Sequence, residues 1–291
     1  MEWTREGDVF SAVDSDDPDS LRAWQPWVIE DDDDTLRMWY AGHDESTGRI
    51  LAATKQPDHG WHRLGVAVDA GLAGDSDRYG VESPCVVKVP AGYLMAYGGS
   101  DGEHTRLHMA TSGDGRRWIG HGSVIQRGQE DALAASDPCL FISGERWWLF
   151  FSGCDGANQG RRTAILAAVS QSGASWDRVG PVLVPEQGEL AVRHPCVLEI
   201  AHRFHMFYAS ETDEHLTIAL ATSPDGLDWE RRGIVLTTTG DRADAVDTPC
   251  VVRLRDGSLR MWYAVRPRGD TRLAYRIFAA AFPGPGPGRD H

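Results

Sequence analysis

The stretch from Ser136 to Asp155, SDPCLFISGERWWLFFSGCD, decides the fold. It reads as an extended run entered through a proline, a short polar turn, a second run dense in aromatics, and an acidic exit. The same pattern occurs five times. Aligned on the proline, the copies begin at Gln25 (QPWVIE), Ser83 (SPCVVK), Asp137 (DPCLFI), His194 (HPCVLE) and Thr248 (TPCVVR). The prolines are residues 26, 84, 138, 195 and 249, so the steps are 58, 54, 57 and 54 residues. Each is followed by a turn and a second run: LRMWYAGHD, YLMAYGGSD, WWLFFSGCD, FHMFYASET and LRMWYAVRP. A third run comes next, as in RLHMATS, AILAAVS and LTIALATS. Four copies add a Trp-led fourth: GWHRLGVAV, RWIGHGSVI, SWDRVGPVL and DWERRGIVL.

Four short strands repeated at this spacing are the signature of propeller blades. The pattern predicts an all-β, five-bladed β-propeller of four-stranded antiparallel blades. The fifth copy stops after its third run, RLAYRIFAAAF, and its missing strand sits at the other end of the chain. There EWTREGDVF (Glu2 to Phe10) matches DWERRGIVL (Asp228 to Leu236) at the Trp, the Gly and the apolar ends. The N-terminal strand is therefore expected to close the last blade and cover an edge that would otherwise pair with other molecules. One domain is expected over residues 1–282, followed by a disordered tail over 283–291, PGPGPGRDH. Within a strand, Leu36, Met38 and Tyr40 alternate with Arg37 and Trp39, a period of two. The prolines are expected at strand starts, where a missing N–H costs no central ladder bond. SGDGRRW and SPDGLDW carry Asp-Gly hairpin turns.

Charge narrows the partners. The formal net charge is −14 over 291 residues, the wrong sign for nucleic acid or an anionic membrane surface. No apolar run reaches the 18 residues of a membrane span. The first residues lack the basic start and apolar core of a secretory signal. Five cysteines, an odd count, fit reduced thiols in a cytoplasm better than a disulfide framework. No Gly-rich phosphate loop, His-x-x-x-His zinc pair or Ser-centred nucleophile elbow appears.

The blade pattern, together with SDP at Asp137 and ESP at Glu82, resembles the superfamily of five-bladed carbohydrate-active propellers. That superfamily includes arabinanases, xylosidases, invertases, levansucrases and mannoside phosphorylases. The resemblance covers nearly the whole chain. It implies a glycosidase-like enzyme whose carboxylates, placed one or two residues before the inner-strand prolines, meet over a central cavity. One acts as base or nucleophile, one as general acid, and a third orients the site. It implies no cofactor, and it leaves room for a divalent cation in the central channel, as in some relatives. The chain departs from the usual triad. Gln25 stands where hydrolytic relatives have a base Asp, and Arg193 followed by His194 stands where they have the acid Glu.

The repeat supplies its own control: what recurs is structural, and what varies at a cavity-facing position is a candidate for function. Cys85, Cys139, Cys196 and Cys250 recur, with Trp27 in the fifth copy, and read as small apolar fillers. Asp44, Asp101 and Asp155 recur as turn caps. Trp3, Trp61, Trp118, Trp176 and Trp229 recur as wedges between blades. By contrast, no two copies agree at the pre-proline pair: Trp24–Gln25, Glu82–Ser83, Ser136–Asp137, Arg193–His194 and Asp247–Thr248. The expected site has Asp137 orienting the sugar or supporting the acid, Glu82 or His194 as general acid, and Asp247 as base. Trp24, Gln25, Ser83, Arg193, Thr248, Glu211 and Arg266 would bind substrate. The loops after the second runs add His43, Glu103, His104, Arg106, Arg161, His215 and Arg268, mostly as solvated surface charges. EDDDD at Glu30 to Asp34 reads as a solvated hairpin on the opposite face.

Three functions follow from these residues. The first is cleavage of a glycosidic bond in a small glycoside or oligosaccharide. The second is phosphorolysis, in which phosphate replaces water and the arginines acquire a purpose. The third is non-hydrolytic binding of a sugar-like ligand, or a tailoring step in specialised metabolism, which Gln25 and the missing fourth-blade Glu would favour.

Overall fold

The computed structural model describes residues 2–10, 17–157, 162–237, 243–267 and 275–282. The tail at 283–291, Arg161 and Arg268 lie outside the described residues. The described chain is all-β, with twenty strands in five antiparallel groups of four. The first group is β2 (Arg22–Glu30), β3 (Leu36–His43), β4 (Gly48–Lys55) and β5 (His62–Val68). The second is β6 (Gly80–Val89), β7 (Gly92–Ser100), β8 (Thr105–Ser112) and β9 (Ile119–Ser123). The third is β10 (Ala134–Ser143), β11 (Arg146–Cys154), β12 (Thr163–Ser170) and β13 (Asp177–Leu183). The fourth is β14 (Ala191–Ile200), β15 (Arg203–Glu211), β16 (Leu216–Ser223) and β17 (Glu230–Leu236). The last joins β18 (Ala243–Arg253), β19 (Leu259–Pro267) and β20 (Arg276–Phe282) to β1 (Thr4–Phe10). β1 runs antiparallel to β20, with Thr4 opposite Ala281, so the N-terminal strand covers that edge as the sequence predicts.

The first strands of successive groups pack on one another: β2 on β6, β6 on β10, β10 on β14, β14 on β18, and β18 on β2. Successive groups thus stack face to face, with β3 also packed on β6, which explains a departure from simple alternation. Trp39, on the opposite face from Met38 and Tyr40, is as buried as they are. The recurrent tryptophans wedge as expected. Trp118 meets Trp39 edge-on at 6.0 Å, Trp229 meets Phe150 at 5.8 Å and Trp3 meets Phe207 at 5.8 Å, each on the preceding group. Asp44, Asp101 and Asp155 each accept a backbone N–H two residues on, from Ser46, Glu103 and Ala157, and so cap their turns.

Two expectations need correction. The prolines do not start strands: β2 begins at Arg22, four residues before Pro26, and the other four prolines are likewise interior. Each instead sits in a β-bulge. The register skips from Trp24 to Trp27, Glu82 to Cys85, Ser136 to Cys139, Arg193 to Cys196 and Asp247 to Cys250. A bulge leaves residues unpaired, so the ring that lacks an N–H breaks no ladder bond there. The acidic hairpin is not simply solvated either. Asp31 pairs with Arg37 and, at 2.9 Å, with Lys88 of the second group, while Arg255 pairs with Asp32 at 3.1 Å.

The cysteines do more than fill space. Backbone N–H groups of Leu140, Val197, Val251 and Val28 donate to the sulfurs of Cys85, Cys139, Cys196 and Cys250 at 3.0–3.2 Å. Each bond joins one group to the next. Where the first group lacks the thiol, the Trp27 indole N–H donates to the Val86 carbonyl at 2.8 Å. The larger ring reaches inward and packs against five separate core clusters. All five cysteines are buried, and none forms a disulfide among the described residues. Iodoacetamide should therefore leave the native protein unmodified and add five groups after denaturation, read by intact mass. Rapid native labelling at Cys85 or Cys250 would contradict this packing.

Candidate functional site

The bulges decide where the unmatched residues point. Gln25, Ser83, Asp137, His194 and Thr248 all have φ between 52° and 54°, the left-handed region that costs a side-chain-bearing residue energy. For a β-branched residue such as Thr248 this is a true outlier. The conformation turns each pre-proline side chain out of its sheet and toward the axis. All five, with their prolines and Trp27, line one narrow cavity of about 30 Å³. That volume suits water and excludes a sugar ring, so a substrate must sit above it, against the residues that flank it.

A row of charges crosses this cavity. Asp137, 8% exposed, accepts from Ser83 Oγ at 2.7 Å and Ser136 Oγ at 3.1 Å. Its Oδ1 lies 3.1 Å from His194 Nδ1, and His194 Nε2 lies 3.6 Å from Asp247 Oδ1. The imidazole thus bridges two buried carboxylates. The backbone holds it there, because the His194 N–H donates to Ser152 Oγ at 3.1 Å. Burial by itself would raise the pKa of Asp137. The His194 charge, with hydrogen bonds from His194, Ser152 and Ser83, reverses that and holds the carboxyl well below the usual range. Burial opposes charge on His194 too, yet Asp137 and Asp247 together raise it above an ordinary imidazole. Asp247 also accepts the Thr248 N–H at 2.8 Å and meets Arg193 at 3.4 Å, and Arg193 turns to Glu211 at 3.1 Å.

Glu82 behaves oppositely. It is half-buried, and desolvation, followed by the negative charge of Asp137, pushes its pKa up to about 7. It opens onto a second, wider cavity of about 260 Å³ that also touches Arg22, Trp24 and His43. Two carboxylates in one neighbourhood, one held ionised and one held protonated near neutrality, can divide acid and base work.

The structure thus gathers Gln25, Ser83, Asp137, His194 and Thr248 in one cavity, with Trp24, Glu82, Arg193 and Asp247 beside it. Gln25 is engaged elsewhere, its Oε1 accepting the Ser83 N–H at 3.0 Å. Glu211 and Arg266 belong to the outer rim, Glu211 through its pair with Arg193 and Arg266 opposite Ala245. Glu103, His104, Arg106 and His215 are not in either cavity. Sequence reasoning missed Arg22, Ser152 and Tyr275. Ser152 was within reach: it faces Ser136 on β11, where the other groups carry Ala41, Gly98, Ala209 and Ala264. For a divalent cation on the axis the residues do not fit. Trp27 occupies that position, and among the described residues no cluster of three or more His, Cys, Asp or Glu is arranged to hold a metal.

Comparison with known proteins now adds the family. Residues 93–275 match the model of the glycosyl hydrolases family 32 N-terminal domain. The chain belongs to that family. A thermostable family-43 glycoside hydrolase superposes on this family 32 domain with a TM-score of 0.73 at 15% identity, over 92% of this chain and 96% of the other. An α-L-arabinofuranosidase from Lactobacillus brevis gives 0.71 at 13%, over 92% and 93%. These likenesses show the fold. An uncharacterized protein of Mycobacterium tuberculosis (strain CDC 1551 / Oshkosh) is 30% identical over 53% of this chain and 54% of its own. The chain thus spans about half the length of the curated relatives it matches. Family model and fold agree: the matched residues belong to a glycosyl hydrolase family, and the chain has the fold of a glycoside hydrolase of family 43.

Proposed function

We propose that this protein is a five-bladed propeller that cleaves the glycosidic bond of a small glycoside, with Glu82 as general acid and Asp137 as the ionised carboxylate. The cyclic packing of the five first strands supports the blade count. The opposed pKa shifts of Glu82 and Asp137 carry the chemistry. Glu82, protonated up to about pH 7, gives its proton to the departing oxygen. Asp137 faces the positive charge that develops at the sugar carbon; a water then adds to that carbon and gives its proton to the ionised Glu82, which restores the acid and releases the free sugar. Asp247, expected from sequence to be the base, is given a positioning role in this proposal: it holds Arg193 and the far nitrogen of His194 and accepts the Thr248 N–H. A reducing, cytoplasmic setting is part of the same proposal and draws on five cysteines that form no disulfide among the described residues.

The test is a pH–rate profile. A general acid must carry its proton, so kcat/KM should fall as pH rises through about 7, the value of Glu82. Glu82→Gln should abolish that limb and cost about 10²–10⁴-fold. The loss should be largest for alkyl glycosides and smaller for nitrophenyl glycosides, whose leaving groups need no proton. Equal losses on both substrates, or an unchanged limb, would remove Glu82 from this role.

A further inference from the structure

We propose that the cavity beside Glu82 is a subsite for a sugar carrying a carboxylate, read by Arg22. The guanidinium of Arg22 stacks on Trp24, 4.4 Å from the ring centroid. Stacking fixes the plane of the fork and leaves its edge donors free to meet a ligand. Arg22 Nε is buried and has no hydrogen-bond partner, and no ion pair of Arg22 is formed among the described residues. Burial works against the charge of the half-buried Arg22, the Glu82 carboxyl lining the same cavity offsets part of that, and no hydrogen bond joins the two. Buried donors in folded proteins are normally paired. Here the missing partner has a place to sit: the 260 Å³ cavity onto which Arg22, Trp24, His43, Ser100, Thr105 and Glu82 face.

The other charges agree with an anionic guest. Burial disfavours the charged forms of both Arg22 and His43, so an arriving negative charge is rewarded there. Glu82 is the one acidic side chain lining the cavity, and although its charge supports Arg22, its pKa of about 7 leaves it largely protonated below neutrality, where it does not neutralise Arg22. Tyr275 packs on Trp24 from the side of the last group, and its backbone carbonyl accepts the Ala23 N–H at 3.2 Å. This pins the Arg22–Trp24 pair at the seam between the last and first groups. A planar carboxylate matches the fork in two parallel hydrogen bonds. The cavity's size admits one sugar-sized group next to the proton donor. The inference rests on Glu82 being the general acid, which makes the guest the group on the departing or retained side of the bond that Glu82 protonates.

Calorimetric titration of the whole protein with D-glucuronate and D-galacturonate, against D-glucose, D-galactose and inorganic phosphate at constant ionic strength, tests it. One uronate should bind at least about tenfold tighter than its neutral counterpart. Arg22→Gln should weaken that uronate by about 10- to 100-fold while leaving the neutral sugar unchanged. Arg22→Lys, which keeps charge without the fork, should recover only part. Circular dichroism establishes that the variants are folded. Equal affinity for acidic and neutral sugars, a preference that survives Arg22→Gln, or no uronate binding at all would overturn the proposal. Binding of phosphate alone would also overturn it and assign the fork to a free anion. Wild-type cleavage of neutral glycosides without uronate binding would sink this inference and leave the glycosidase reading standing. Uronate binding without cleavage of any glycoside would do the reverse.

Discussion

Asp137→Asn is expected to lower kcat/KM by about 10²–10⁴-fold in a protein that still folds. The amide keeps the shape; its one oxygen can still accept from Ser83 and His194, and its NH2 can donate to the Ser136 hydroxyl, so the loss is chiefly that of charge. Two consequences follow that a merely structural residue would not produce. His194 loses the nearer of its two carboxylates, 3.1 Å against 3.6 Å for Asp247, so its raised pKa should fall, as seen by NMR titration of the ring protons. Glu82 loses the negative charge that helps raise it, so any activity left should have its alkaline limb moved to lower pH.

Stability should change with pH in a defined direction. Asp137 has a depressed folded pKa, so its contribution is present above the ordinary carboxylate value near 4 and is lost as pH falls below it. His194 has a raised one, so its contribution is complete below about 6.5 and is lost as pH climbs through the raised value. Denaturant titrations of wild type should show both slopes, and Asp137→Asn should flatten them. Turnover within roughly threefold of wild type, well short of the 10²-fold scale of acid–base catalysis, would remove Asp137 from the chemistry.

Trp27→Ala should be the most destabilising single truncation, at about 3–5 kcal/mol. Among the described residues Trp27 is the one side chain that packs against all five of the large core clusters, and its N–H supplies the link to Val86. Removing it takes away contacts from every group at once and leaves an orphan carbonyl. A fall in Tm on the order of 10 °C corresponds to that energy in a chain of this size. Trp27→Cys separates the two effects. It restores the residue of the other four groups, and a thiol can renew the link to the second group, yet it cannot fill the axis. Its stability should lie between those of wild type and Trp27→Ala; equality with wild type would show that the indole is not what closes the axis.

Much of this was legible in the residue pattern. Five copies with matched spacing, each a proline-marked run followed by an aromatic one, announce the strands and their grouping. The match between Glu2–Phe10 and Asp228–Leu236 announces that β1 completes the last group. The unmatched pre-proline residues announce that something converges, because a repeat that is otherwise regular has no packing reason to vary there. Trp27 also announced itself by breaking the cysteine series, although only its packing shows why.

The remainder depended on three dimensions. Whether a pre-proline side chain reaches the axis rests on a bulge and a φ near 52°, and nothing in the composition of Gln-Pro or His-Pro states that angle. The roles of Glu82 and Asp137 could not be separated by residue type, since both are carboxylates one residue apart in register. Burial and the charge of Asp137 raise one, outweighing His194 and Arg22; an imidazole 3.1 Å away lowers the other. Arg22 was invisible for the same reason: a lone arginine at a strand start reads as solvated until the fold stacks it on Trp24 and leaves its Nε buried without a partner. Local pattern specifies strands because pairing and burial repeat with the chain, whereas charge states belong to neighbours that are 54 to 58 residues away along it and angstroms away across the axis.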